Sequence, residues 1–318
     1  MDAEKVIREA MIRLRISVGW HIDNWILAPL APHFAEERWK KAMRNPSFCG
    51  VAKRKRKEPL IVSLTSFPPR IEYVPVTIKT LLTQTLKPDM LILYLAEEEF
   101  PGKEADLPEE LKELVPYGLT IKWCRNDRSF KKLIPALKEY PEAVIITMDD
   151  DTVYHPAMVQ RLYAEYVQGK SKKIIYCHRA AMLMMRDGDI EAIVGGDVVN
   201  KKPSYLNRMT GVGGVLYPPH CLDPEVMRRE MYMTLAPMND DVWFWAMAVR
   251  KGTRVKALKR RITMFPKVKG SQSVSLIGSN SVDQGDGQNL TQKQMLAVLE
   301  HYPEVKKRLE EEWNREST

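Results

Sequence analysis

Three adjacent carboxylates, Asp149, Asp150 and Asp151, end the apolar run Val144 to Met148 in the stretch "EAVIITMDDDTVYHP". Neighbouring ionised carboxylates repel one another and are costly unless solvated or bound to cations. Asp149 and Asp151 form a D-x-D motif, and in extended chain residues two apart point to the same side. Two carboxylates so placed can share a hard divalent ion, Mn2+ or Mg2+, with substrate phosphates filling other positions. Asp150 then points the other way, toward a structural donor. D-x-D also arises in plain acidic surface turns, but the apolar strand before it favours a functional site.

A second acidic pair stands in "APMNDDVWFWAMAVRKG", where Asp240 and Asp241 precede an apolar, aromatic helix. Carboxylates at a helix N-terminus are favoured by its dipole and can act as caps. The functional reading makes one a general base that deprotonates an acceptor hydroxyl. Trp243, Phe244 and Trp245 are expected in the core, with one free to lie under a sugar ring. Between the acidic sites, "TGVGGVLYPP" carries Gly211, Gly213 and Gly214. These glycines allow close backbone approach to a ligand or form a plain tight turn. The spacing is not a dinucleotide-binding fingerprint, and no P-loop lysine motif is present.

The elements that must position these residues read as strands alternating with helices. "LIVSLTSF", "DMLILYLA", "LTIKWCR", "AVIITM" and "KIIYCHRA" are strand-like. "EYVPVTIKTLLTQTL", "SFKKLIPALKEY" and "PAMVQRLYAEYVQG" are helical. This alternation predicts an α/β fold with a mainly parallel sheet, whose ligands bind beyond the carboxyl ends of the strands. The aspartates sit at such an end. Residues 1–57 read as a basic helical extension: Ile7, Met11, Leu14, Val18, Ile22 and Trp25 recur at helical spacing, and a short helix spans Phe34 to Met43 after Pro29 and Pro32. It either packs its stripe on the main domain or lies on a membrane, with Trp20 and Trp25 at the headgroups and "KRKRK" (Lys53 to Lys57) near anionic lipid. Residues 58–270 form the catalytic domain. Residues 271–318 hold a polar Gly/Ser-rich loop, a helix from Thr291 with Gln294 as a capping-box partner, and a charged helix from Pro303.

Charged residues make up 28% and hydrophobic residues 44% of the chain, which excludes a disordered protein. The net charge of +8 favours an anionic partner. Basic residues cluster only at Lys53 to Lys57 without interleaved aromatics, so no nucleic-acid partner is expected. Cys49, Cys124, Cys177 and Cys221 include no C-x-x-C pair and are expected to be reduced thiols. No uncharged apolar run approaches the ~18–20 residues that span a bilayer. Arg13, Arg15 and Asp23 interrupt the early apolar residues, unlike a signal peptide. A cytoplasmic protein, peripheral at the inner face of the membrane if the first zone binds lipid, is the expectation.

The ordered set "IVSLTSFPPRI", "LLTQTLKPDMLILYLAEEEFP", "RSFKKLIPAL", "VIITMDDDTVYHP", "YCHRA", "TGVGGVLYPP" and "APMNDDVWFWAMA" resembles bacterial surface-polysaccharide glycosyltransferases of the family-2 class with the GT-A fold. The resemblance spans roughly Leu60 to Thr263. It implies that Thr65, Ser66 and Arg70 receive the nucleotide, and that Asp127, Lys131 and Lys132 contact it. It implies that Asp149 lies near the ribose and Asp151 on a Mn2+ or Mg2+ ion, with Asp150 between them in the donor site. The "GVGG" stretch, with Gly213 and Gly214, would border the donor sugar and acceptor. Asp241 would be the base and Asp240 its neighbour. The implied partners are a nucleotide-diphosphate sugar and a glycan or lipid-linked acceptor.

Two departures stand out. The second strand ends in "LAEEEF" instead of the usual acidic pair, leaving Glu97 as a substitute. After His220 the only histidine is His301, so a late metal-binding histidine is in doubt, and Asp283 to Asn289 would have to supply oxygen ligands. Two other readings remain. "DDDTV" also meets the pattern of haloacid-dehalogenase-like phosphatases, with Asp149 as nucleophile and Asp151 as general acid, but two strand–helix units precede it here. A non-catalytic membrane- or polysaccharide-binding protein is the third.

Overall fold

Apolar runs with no polar alternation need cover on both faces, and the strands here receive it. The computed structural model describes residues 28–54, 56–186, 189–194, 202–263, 265–274 and 289–317. Four strands, β1 (Leu60–Thr65), β2 (Met90–Ala96), β3 (Leu119–Cys124) and β4 (Val144–Thr147), run parallel in the order β4-β1-β2-β3. Beyond β4 lies β9 (Val215–Tyr217), antiparallel to β4 and to β5 (Ile174–Cys177). The parallel partner of β5, β10 (Arg254–Ala257), closes the seven-stranded sheet. Alternate residues feed two cores. Ile61, Ile92, Tyr94 and Ile145 pack on one face, and Leu60, Val62, Leu91, Leu93, Val144 and Ile146 on the other. The expected α/β architecture, a mainly parallel sheet flanked by helices, is the one observed.

A second sheet holds β6 (Ala180–Arg186), with β7 (Asp189–Val194) and β8 (Asn207–Met209) antiparallel on either side. "KIIYCHRA" is therefore not one strand. It breaks at His178, which is buried and tied at both ring nitrogens. Nδ1 accepts from the Ile262 N–H at 2.9 Å, and Nε2 lies 3.3 Å from the Met158 carbonyl oxygen. Burial pushes the His178 ring down to about 4, so it stays neutral. The chain leaves the main sheet at this pin, and Arg179 sits at the corner.

Other differences from sequence expectation have local causes. The first described helix, α1 (Ala28–Met43), already runs six residues before Phe34 and takes in Pro32, which has no N–H for the helical ladder. It packs on the main domain: Trp39 meets Phe48 and Tyr117 edge-on, and Arg38 donates to the Tyr154 carbonyl oxygen at 3.1 Å. Residues 1–27, with the stripe from Ile7 to Trp25, lie outside the described residues. Helix α2 (Val74–Leu82) follows β1, and a single turn, α3 (Glu109–Lys112), precedes β3. "SFKKLIPALKEY" divides into a 3-10 turn, Arg128–Lys132, and α4 (Ile134–Glu139). Pro135 cannot bond to the preceding turn, which separates the two.

Helix α5 (Met158–Gly169) follows the aspartates. Helix α6 (Arg229–Leu235) leads to α7 (Asp240–Lys251), whose Trp243, Phe244 and Trp245 are all fully buried. None serves as a sugar platform. The last helices, α8 (Leu290–His301) and α9 (Pro303–Ser317), pack against α7. Asn289, not Thr291, caps α8 by accepting from the Gln292 N–H at 2.9 Å. Among the described residues no helix is long and apolar enough to cross a membrane.

Candidate active site

The carboxyl ends of β1 and β4, the turn after β8 and the N-terminus of α7 converge on a cavity of about 760 Å³. Seven basic and six acidic side chains line it. Of the sequence-predicted residues, Thr65, Ser66, Arg70, Lys131, Lys132, Asp149, Asp150, Asp151, Asp240 and Asp241 all line it. Three do not. Asp127 is turned aside into a cluster with Arg125 and Arg229, the latter at 2.7 Å. Gly213 and Gly214 lie behind the wall, which Gly211 and Val212 form. Both have left-handed φ, 90° and 89°, and a Cβ on either would lie 2.3 Å from the Phe265 ring or 2.8 Å from Met148 Sδ. Their role is to turn the chain tightly against the core.

The three aspartates have three different fates. Asp150 is buried and accepts from Ser66 Oγ at 2.5 Å and Arg70 Nη1 at 2.8 Å. It is the structural acceptor that clamps the loop after β1 to the end of β4. Burial pushes its carboxyl up, against the pull of Arg70 and Ser66. Thr65 is likewise occupied, donating to the Tyr94 carbonyl oxygen at 2.7 Å. Asp151 accepts from Lys267 Nζ at 2.7 Å and Gln272 Nε2 at 3.1 Å, and Arg70 Nη1 stands 3.2 Å away. Burial alone would raise its carboxyl, but the Lys267 ammonium, then Arg70 and Gln272, hold it below the usual range. Asp149 keeps a partly exposed carboxylate in the cavity, 3.6 Å from Lys132 Nζ.

These contacts test the expected metal ion. Asp149 offers it an oxygen, but Asp151 already has an ammonium on one oxygen and an amide and a guanidinium on the other. Among the described residues no group of three or more His, Cys, Asp or Glu could hold an ion. The pair as placed does not fit a shared divalent ion; Lys267 stands where its charge would act on Asp151. His301 is at the end of α8, with its ring against Tyr302, and Asp283 lies outside the described residues. A phosphatase role for Asp151 as general acid fares no better, because a carboxyl held below its usual range does not carry a proton at neutral pH.

The second acidic pair is freed for chemistry by its neighbour. Asn239 caps α7, accepting from the Val242 N–H at 3.3 Å and donating to Thr291 Oγ1 at 2.8 Å. Asp240 pairs with Lys132 Nζ at 2.8 Å. Asp241 Oδ2 accepts from the Gly211 N–H at 2.8 Å, while Oδ1 is buried with no hydrogen-bond partner. Burial first, and then the Asp240 charge, push the Asp241 carboxyl up to about 6, although Lys132 and the Gly211 N–H oppose this. A Cβ built on Gly211 would be 3.3 Å from both Asp149 Oδ1 and Asp241 Oδ1. The absence of a side chain there keeps open the space that the two carboxylates share.

Several cavity residues carry no recognisable sequence motif. Glu99, not Glu97, faces the cavity and accepts from Lys131 Nζ at 2.5 Å; Glu97 pairs with Lys103 at the surface. Lys267 lies just past the resemblance, at the start of the polar loop. Arg208 precedes the glycine turn, and Arg179 lies within the quoted "YCHRA" without an assigned role.

No family model matches the sequence, and no curated protein matches it either. Solved structures with a similar chain path include mannosyltransferase PcManGT from Pyrobaculum calidifontis in complex with GDP-Man and Mn2+, with TM-score 0.40 and 12% identity over 92% of this chain and 85% of that one. CMP:2-keto-3-deoxy-manno-octonic acid synthetase complexed with CTP matches with TM-score 0.37 and 10% identity, over 64% of this chain and 89% of that one. The inositol-1-phosphate CTP transferase from T. maritima matches with TM-score 0.35 and 11% identity, over 78% and 98%. These likenesses are too slight to carry an argument about chemistry, which rests on the site itself.

Proposed function

We propose that this chain is a nucleotide-sugar-dependent glycosyltransferase of GT-A type that moves a sugar to a glycan or lipid-linked hydroxyl with inversion. The observation that carries the reading is Asp241: a carboxylate held at one oxygen by a backbone N–H, unpartnered at the other, and facing Asp149 across the open side of Gly211. A base tuned to about 6 is ionised at neutral pH yet basic enough to draw a proton from a hydroxyl. The acceptor oxygen attacks the anomeric carbon as its proton passes to Asp241, and the sugar–phosphate bond breaks on the opposite face. Direct displacement by one base-assisted oxygen inverts that carbon. The sequence resemblance supports the same roles.

On this reading the donor occupies the end of the cavity made by β1 and β4. The Asp150 clamp fixes the loop that carries Thr65 and Ser66. Lys132 bridges the two halves, set between Asp149 of the donor end and Asp240 of the base end. No step is routed through a metal ion, because Asp151 is already neutralised by Lys267 and Arg70. The test is a screen of nucleoside-diphosphate sugars, each with and without Mn2+, for thermal stabilisation and slow donor hydrolysis. Stabilisation by at least one donor, lost with the same nucleoside as a monophosphate, supports the reading. Phosphate release from simple phosphomonoesters with no response to any nucleotide sugar would overturn it.

A further inference from the structure

Most cations in the cavity already have an anion. Arg70 and Lys267 meet Asp150 and Asp151, Lys131 meets Glu99, and Lys132 meets Asp240. Arg179 and Arg208 differ: neither side chain has an ion pair or hydrogen bond among the described residues. Arg208 is only 4% exposed, and its Nε is buried without a partner.

Their placement follows from register. Strands β6 and β8 pair with Ala181 opposite Arg208 and Ala180 opposite Met209. Arg179 continues this ladder opposite Thr210, whose N–H donates to the Arg179 carbonyl oxygen at 3.1 Å. Arg179 and Ala181 lie two apart, so Arg179 and Arg208 are diagonal neighbours on one face, within reach of each other's long side chains. Both line the cavity, with Thr210, on the side of Gly211 and Asp241. Burial lowers both guanidiniums, and Asp241 acts on both to offset it; Asp149 also acts on Arg179, and Arg208 feels Arg179 as a like charge. The His178 pin fixes the corner from which Arg179 projects. A buried guanidinium (Arg208) and a half-buried one (Arg179) on one wall, neither with a paired anion among the described residues and both beside the base, are costly to hold unless a ligand satisfies them. Their planar donor forks match a carboxylate or a phosphate.

We infer that Arg179 and Arg208 form an anion subsite for the acceptor, which carries a carboxylate or a phosphate near the hydroxyl that is glycosylated. This rests on the reading of Asp241 as the acceptor-side base. The donor diphosphate is the competing source of an anion; Arg70 and Lys267 at the β1 and β4 end are already paired with Asp150 and Asp151, so the probes below are chosen to separate the two sources.

Calorimetry on the full chain separates the sources. The probes are methyl β-glucuronide, glucose 6-phosphate, the neutral methyl β-glucoside, and UDP and GDP. One of the two anionic sugars should bind the unmodified protein about tenfold or more tighter than the neutral one, and Arg179→Gln or Arg208→Gln should each abolish that advantage. Arg179→Lys and Arg208→Lys should keep part of it, and nucleoside-diphosphate binding should change less than about twofold. Equal binding of neutral and anionic sugars, or no binding of either anionic sugar, overturns the subsite. So does a loss of diphosphate binding in the Gln variants that matches or exceeds the loss for the sugars. If a variant does not fold, the comparison of charged and neutral sugars on the unmodified protein still decides. Failure of every nucleoside diphosphate to bind, with the charged sugar still bound, would remove the donor reading and leave the subsite standing.

Discussion

At the scale of single residues, the aspartate triplet shows how little spacing says about partners. The expected structural donors of Asp150 are Ser66 and Arg70, but the D-x-D alternation did not separate it from Asp151, which meets the same Arg70 Nη1 at 3.2 Å. What spacing could not show is that Lys267, more than a hundred positions away, reaches Asp151. A contact of that separation leaves no local pattern. It has a measurable consequence: Lys267→Ala should free Asp151 and tighten Mn2+ binding by roughly tenfold, the worth of one charge-assisted contact. Calorimetric titration of both proteins with Mn2+ checks this; equal affinities would show that Lys267 does not compete with an ion. Asp241 carries a second expectation. Its folded carboxyl lies near 6 against an ordinary 3.8, so between these values the folded protein holds a proton that the unfolded chain has released. Its contribution to stability is therefore present below about pH 4 and is lost as pH rises through 6. Asp241→Asn removes the buried charge and should raise stability at pH 7 by on the order of 2 kcal/mol, seen as a higher melting temperature. A lower melting temperature would mean that the carboxylate is better solvated or paired than its surroundings indicate.

At the scale of elements, these strands were legible because both-face burial makes them mostly apolar, as in "LIVSLT" and "MLILYLA". The breaks were not. The corner at His178 depends on hydrogen bonds to Met158 and Ile262, and the division before α4 depends on how Pro135 meets the preceding turn. The glycine turn was found, but its three glycines were not told apart. Gly211 borders the site, whereas Gly213 and Gly214 hold the turn. Their substitutions should separate accordingly. Gly213→Ala forces a Cβ into Phe265 at a left-handed φ and should destabilise by about 1–3 kcal/mol or more in urea unfolding. Gly211→Ala meets only the ends of Lys132, Asp149 and Asp241, so it should fold with near-normal stability and lose turnover. The reverse order of effects would contradict the placement of the turn.

At the scale of the whole molecule, the two core faces of the sheet, α1 and the C-terminal helices share one purpose: to hold the end of β4 and the start of α7 against each other. Helix α1 reaches this frame through Trp39, nearly buried between Phe48, Tyr117 and Lys79. Trp39→Ala should cost about 3–5 kcal/mol of global stability, measured by urea unfolding, because it empties a core position rather than a detachable arm. A change below about 1 kcal/mol would mean that α1 is held only weakly. The central claim is that Asp241 removes the acceptor proton. Its most direct test is the turnover of Asp241→Asn with an active donor and acceptor pair, alongside donor affinity. Turnover should fall by about 10²–10⁴, the usual worth of a general base, with donor affinity unchanged within about twofold. Turnover within about tenfold of the unmodified protein, or a loss explained by weaker donor binding, would contradict the assignment of Asp241 as the base.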